Sequence, residues 1–145
     1  MPFLIHISSI FCKIQKMKWL IVHIDEETTT NDNFKKVLFT SNYLQLAVMS
    51  LDPGEDIGEE SHGQDQFIRI EEGEGKIILN GQEFLFSKDF AVVIPAGIRH
   101  NVVNTSMDSK LKLYTIFSPP FYRFDTIHLI KPHRKGDKPF DGVVG

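Results

Sequence analysis

The sequence is poor in the residues that commonly build cross-linked folds or soft-metal centres. Cys12 is its single cysteine, which excludes an internal disulfide and any thiolate-only metal site. A metal here must use His, Asp, Glu or amide oxygen, and a reducing, cytoplasmic setting is expected. No stretch concentrates Lys or Arg, and the formal net charge is -3 with His neutral. Such a chain offers no basic field to a phosphate backbone, so nucleic acid is not expected as a partner. The apolar stretch Met1–Phe11 lacks a basic leader and falls far short of the ~20 residues of a membrane span, so no membrane partner is expected. A G-x-x-x-x-G-K-[ST] phosphate loop and a G-x-S-x-G nucleophile elbow are both missing, which sets aside nucleotide hydrolysis and serine esterase chemistry.

What is present suits a single globular domain. The 145 residues are 41% hydrophobic, 24% charged and 11% aromatic, enough for a real core and unlike a disordered chain. Residues 1–16 read as an N-terminal extension of uncertain role. Met17 opens Met-Lys-Trp-Leu-Ile-Val, which has the form of an alternative start followed by a first strand. The expected working domain runs over 17–130, and 131–145, rich in Pro, Gly and charge, reads as a loosely held tail.

From Lys36 onward the apolar residues come in short runs broken by Gly, Pro, Asn and Asp, without a sustained helical rhythm. Strands are expected at Lys36–Thr40, Tyr43–Leu51, Gln66–Glu71, Gly75–Leu79, Gln82–Phe86, Ala91–Ile94, Ile98–Asn104 and Lys110–Phe117. Asn80-Gly81 is a strong hairpin signal, because a type I′ turn needs positive φ at both central positions. Glu71-Glu72-Gly73-Glu74-Gly75 supplies a second tight connection. Many short strands in one domain predict an all-β sandwich or closed barrel with few or no long helices.

Glu60, His62 and Gln66 stand at offsets of two and four. Side chains alternate across a strand, so even spacing lets all three face one interior, provided Gly63 does not break the parity. Farther on, Pro95-Ala96-Gly97 makes a turn, and His100 follows on the face shared by Ile98 and Val102.

These two segments resemble the paired motifs of the cupin superfamily, G(X)5HXH(X)3-4E(X)6G and G(X)5PXG(X)2H(X)3N. Gly54, His62 and Gly73 fall on register in the first, with Glu60 at the first histidine place and Gln66 at the glutamate place. Pro95, Gly97, His100 and Asn104 match the second, with Asp89 at its leading glycine, a mild change because Asp tolerates left-handed backbone. The resemblance implies a small single-domain cupin: a jelly-roll β-barrel, or double-stranded β-helix, with a metal or ligand site in its mouth.

Carried over place by place, the resemblance implies Glu60, His62, Gln66 and His100 as metal ligands. The carboxylate lost at 66 is regained at 60. Two imidazoles, a carboxylate and an amide oxygen suit one divalent transition metal, with Fe, Mn, Ni, Zn and Co all acceptable. The implied function is metal-dependent chemistry on a small polar molecule such as a sugar, keto acid or enol, of isomerase or dioxygenase type, with Glu60 also available as a catalytic general base. The alternative is a non-catalytic small-ligand-binding or sensing cupin with a degenerate or absent metal site.

Each residue also has a plainer reading. Glu60 follows Glu55, Asp56 and Glu59 and by itself is one carboxylate of an acidic loop. His62 beside Ser61 and Gly63 suits an exposed loop, His100 suits a satisfied core histidine, and Gln66 suits a hydrogen-bonding partner. Only the motif register favours ligation at His62 and His100. His6 and His23 read as structural or exposed. His128 lies in Phe121–His128, a segment that in similar small cupins folds back near the barrel mouth. Tyr114, Phe84 and Phe86 read as core or interface residues. Phe67 and Arg69 alternate opposite to Gln66, Ile68 and Ile70, so an aromatic ring faces outward, and a homodimer is expected.

Overall fold

The computed structural model describes residues 18–132; the expectations for 1–16, His6 and most of the tail lie outside them. Among the described residues the chain orders one helix, α1 (Ile24–Thr29), before strands β1 (Lys35–Thr40), β2 (Gln45–Leu51), β3 (Asp65–Glu72), β4 (Glu74–Leu79), β5 (Gln82–Ser87), β6 (Ala91–Ile94), β7 (His100–Asn104), β8 (Leu111–Ser118) and β9 (Ile127–His128). All strand pairs are antiparallel, in a six-stranded sheet ordered β6-β3-β8-β2-β1-β9 and a three-stranded sheet ordered β5-β4-β7. The all-β fold and its strands thus follow the turn-bounded pattern of the sequence. Among the described residues no helix is long and apolar enough to cross a membrane.

The expected first strand is the exception. Residues 18–22 form no strand and lead instead into α1, because the apolar letters of Trp19–Val22 find no ladder partner among the described residues. His23, outside the motifs, caps that helix by accepting from the Glu26 amide through Nδ1 at 3.3 Å. Asp25, Glu26 and Glu27 fill the first turn, where the helix dipole favours acid. The hydroxyls of Thr28, Thr29 and Thr30 donate back to the carbonyls of Ile24, Asp25 and Glu26, the local competition that keeps such runs short.

The turns do what their residues allow. Asn80 (φ 49°) and Gly81 (φ 85°) make the β4–β5 hairpin, and Asp89 (φ 75°) takes left-handed backbone. Gly75 is required by close approach: a Cβ there would lie 2.2 Å from the Val103 carbonyl oxygen and 2.8 Å from the Phe86 ring.

Alternation sorts the interior. Met49 and Leu51, Ile68 and Ile70, and Leu111 and Leu113 point inward from β2, β3 and β8 and meet Ile77, Phe86 and Val102 of the smaller sheet in the main core. Toward one end the inward residues turn polar. Gln45, Phe117 and Gln66 stand side by side across β2, β8 and β3. A second cluster of Val37, Ala47, Phe117 and Tyr122 flanks that row. Buried glutamines and an aromatic wall at one end of an otherwise hydrocarbon barrel mark where chemistry can be placed.

Candidate functional site

Glu60 reaches the barrel by a ladder that the sequence reading treated as loop. Segment 55–60 runs antiparallel to β7: the Ile57 amide donates to the Val102 carbonyl at 2.9 Å, and Glu60 and His100 exchange backbone hydrogen bonds of 2.8 and 2.9 Å. Glu60 and His100 are therefore directly opposed bridge partners. Residues that face each other across a ladder have neighbouring side chains, so motif residues 40 positions apart converge. His62 is fixed next by its carbonyl, which accepts from the Gly97 amide at 2.9 Å.

One ligand-capable atom each from Glu60, His62 and His100 lies within 4.8 Å of the other two. The imidazole rings meet edge-on at 5.0 Å between centroids. His100 is buried, with Nε2 3.7 Å from Glu60 Oε1. Both rings turn Nδ1 to a backbone carbonyl, His100 to Ile98 O at 2.8 Å and His62 to Gln64 O at 3.2 Å. Donation from Nδ1 leaves Nε2 as the lone-pair nitrogen, the arrangement that orients metal-binding histidines. His100 Nε2 is buried and has no hydrogen-bond partner among the described residues. An orphaned buried acceptor beside a carboxylate and a second imidazole fits a cation.

Gln66 is buried on β3 beside this group. Its Oε1 stands 3.2 Å from His62 Nε2, while its Nε2 donates to Thr115 Oγ1 at 2.9 Å. The Thr115 hydroxyl in turn donates to Phe67 O at 2.9 Å. The amide is thereby held with its oxygen toward His62, and the even spacing of Glu60, His62 and Gln66 survives Gly63.

Burial and charge act against each other here. Burial pushes the Glu60 carboxyl up, but His100 and the Lys35 ammonium outweigh it and hold the group below the usual carboxylate range. Burial pushes the His100 imidazole down, yet Glu60 and the Ile98 carbonyl carry it above its ordinary value. At His62 burial dominates, helped by His100, and the imidazole is lowered despite Glu60. The set is tuned to keep a carboxylate ionised and one imidazole neutral.

Phe121–His128 does fold back over this end, as the motif resemblance implied. The Phe121 ring lies 4.7 Å from His62 and 5.5 Å from Phe117, and Tyr122 lies 4.9 Å from Phe121. Gln45 pins the segment: its Oε1 accepts from the amides of Phe121 and Tyr122 at 3.0 and 2.8 Å, and its Nε2 donates to Tyr122 O at 2.6 Å. Under the segment is Lys35, 4% exposed, which donates to the Tyr122 hydroxyl and places Nζ 3.8 Å from the centre of that ring. Lys35 and Tyr122 escaped the sequence reading. The available signal was parity, since Lys35 shares the inward face of β1 with Val37.

A jelly-roll barrel with a His/His/carboxylate cluster at one end defines a class, and comparison with known proteins places the chain within it. The protein-family profile described as "Cupin domain" matches residues 47–117. The chain is 43% identical over 122 residues to the uncharacterized protein YrkC of Bacillus subtilis, covering 79% of this chain and 64% of YrkC; it thus spans just under two thirds of that relative. It is 40% identical over 121 residues to the uncharacterized protein L612 of Acanthamoeba polyphaga mimivirus, covering 80% of this chain and 75% of L612. The crystal structure of BH2720 from Bacillus halodurans superposes with a TM-score of 0.77 at 39% identity, covering 81% of this chain and 93% of that one. The chain belongs to the cupin superfamily.

Proposed function

We propose that the protein binds one divalent transition metal through Glu60, His62 and His100, with the Gln66 amide oxygen as the fourth protein donor, and acts on a small polar molecule such as a sugar, keto acid or enol. The observation that carries this reading is the paired histidine geometry: each Nδ1 is committed to a backbone carbonyl, and the His100 Nε2 is left buried without a partner next to Glu60. Fe, Mn, Ni, Zn and Co all suit two imidazoles and a carboxylate. A cation held there with open positions polarises a carbonyl, lowers the pKa of bound water or binds dioxygen, which serves isomerase- and dioxygenase-type reactions alike. Glu60, ionised under the influence of His100 and Lys35, is the group able to take up a substrate proton on a carboxylate oxygen. Phe117 and Phe121 flank His62 and give that side of the group an apolar lining.

A sensing or binding module is the second reading, favoured by one observation. The Gln66 amide is already anchored through its Nε2 to Thr115 Oγ1, and a neutral amide holds a divalent cation less strongly than a carboxylate. Metal content of untagged protein separates the two. Stoichiometric metal in the wild type, lost in each of Glu60→Ala, His62→Ala and His100→Ala, supports the metal-dependent reading; metal-free protein with unchanged stability in all three supports the module.

We further propose that the chain pairs as a homodimer through the outer face of the larger sheet. Val93, Phe67, Ile116 and Leu46 are successive cross-strand partners on that face, and Val93 is 67% exposed. A row of this kind is a surface that a second copy can cover.

A further inference from the structure

We propose that Lys35, Tyr122 and His128 form an anion-recognising subsite that receives the carboxylate of a small organic acid whose remaining oxygen donors reach the Glu60–His62–His100 group. The inference rests on the metal-site reading and narrows its substrate class to carboxylic acids.

The first observation is a buried ammonium with no carboxylate in ion-pair contact among the described residues. Lys35 is buried, and its contacts among the described residues are the Tyr122 hydroxyl and the faces of Tyr122 and Phe34. The other buried strand lysine behaves differently: Lys112 Nζ pairs with Asp32 Oδ1 at 3.0 Å and donates to the Asn31 carbonyl. Buried ammonium groups are ordinarily paired because desolvation is costly, and burial pushes the Lys35 amine down to about 8 against the pull of Glu60. An amine kept in such a place has its partner supplied from outside.

The second observation is independent. His128 stands opposite Lys35 in the β1–β9 ladder, its ring meets Tyr122 edge-on at 6.4 Å, and both of its ring nitrogens are buried without a hydrogen-bond partner among the described residues. An imidazole always presents at least one N–H, so a buried donor without a partner stands beside an ammonium that lacks an ion-pair partner among the described residues. Lysine ammonium, phenol hydroxyl and imidazole N–H together make a set of donors suited to a carboxylate.

The third concerns what joins the two groups. Glu60 is near enough for its charge to act on Lys35 and Tyr122 alike, and between them runs an aromatic wall, His62 to Phe121 at 4.7 Å and Phe121 to Tyr122 at 4.9 Å. An inorganic anion gains nothing from such a wall, whereas the carbon chain of an organic acid packs on it. Tyr122 and His128 belong to the segment after β8, and β9 is the outermost strand of its sheet. Admitting a ligand therefore disturbs edge contacts and leaves the barrel ladders intact.

The test uses the full chain in two arms, one stripped of metal with EDTA and one then reloaded with Co(II), and follows thermal melting and calorimetric binding with pyruvate, its neutral counterpart pyruvamide, and inorganic phosphate. The expected result is binding of pyruvate to metal-free wild type but not of pyruvamide or phosphate, at least about tenfold weaker in Lys35→Met and in Tyr122→Phe. Both variants should take up Co(II) as the wild type does. Pyruvate bound no better than pyruvamide, phosphate bound as well as pyruvate, or undiminished pyruvate binding in folded Lys35→Met and Tyr122→Phe would each overturn the proposal. Failure of the wild type to take up metal would overturn the metal reading instead, and the metal-free arm still decides the subsite.

Discussion

At the scale of single residues, buried polar groups carry both the site and much of its cost. Lys35 gives a signed prediction. Its folded value is about 8 against an ordinary 10.5, so between pH 8 and 10 the unfolded chain holds more protons than the folded one and stability rises with pH. Urea unfolding of metal-free protein should show a gain of about 2 kcal/mol from pH 8 to 10 that is absent in Lys35→Met; equal slopes in the two proteins would refute it. Asn104 is structural: its Nδ2 donates to the carbonyls of Leu51, Asp52 and Ser109 at 3.2, 3.1 and 2.9 Å, and its Oδ1 accepts from the Ser106 amide at 3.0 Å. Asn104→Ala should lose about 3 kcal/mol in denaturant melts while keeping metal uptake. Glu60, His62, Gln66 and His100 were legible because their spacing maps onto strand alternation and motif register. Lys35 and Tyr122 were not, since a lysine in a strand ordinarily signals solvent and only the folded-back segment buries this one.

At the scale of elements, turn chemistry made most of the strands readable. Asn80-Gly81, Glu72-Gly73-Glu74 and Pro95-Ala96-Gly97 delimit β3 to β7 with little error. Two elements were hidden and one strand was wrongly expected for one reason, which is that pairing depends on a distant partner. Segment 55–60 reads as an acidic loop until β7 lies beside it, β9 is two residues long, and Trp19–Val22 has strand-like letters with no ladder partner among the described residues. Gly75→Ala tests the tightest approach between elements. The added methyl meets the Val103 carbonyl and the Phe86 ring, so β4 must shift away from β7, and a loss of about 2 kcal/mol or more is expected in thermal or denaturant melts. A variant as stable as the wild type would contradict that packing.

At the scale of the whole molecule, one face and one end remain to be accounted for. If the Val93–Phe67–Ile116–Leu46 row is the dimer surface, sedimentation at micromolar protein should give twice the 16.6 kDa chain mass, and Val93→Glu should give the monomer with the barrel still folded. A monomeric wild type would remove that face from the account. The end of the barrel bears the central claim, that a bridge pair and a following histidine converge two imidazoles and a carboxylate on one cation. Anomalous scattering from crystals soaked in Co(II) tests it most directly. The account predicts a single strong peak about 2.0–2.2 Å from His62 Nε2, His100 Nε2 and a Glu60 carboxylate oxygen. A peak elsewhere, or no peak with those three side chains in place, would contradict it.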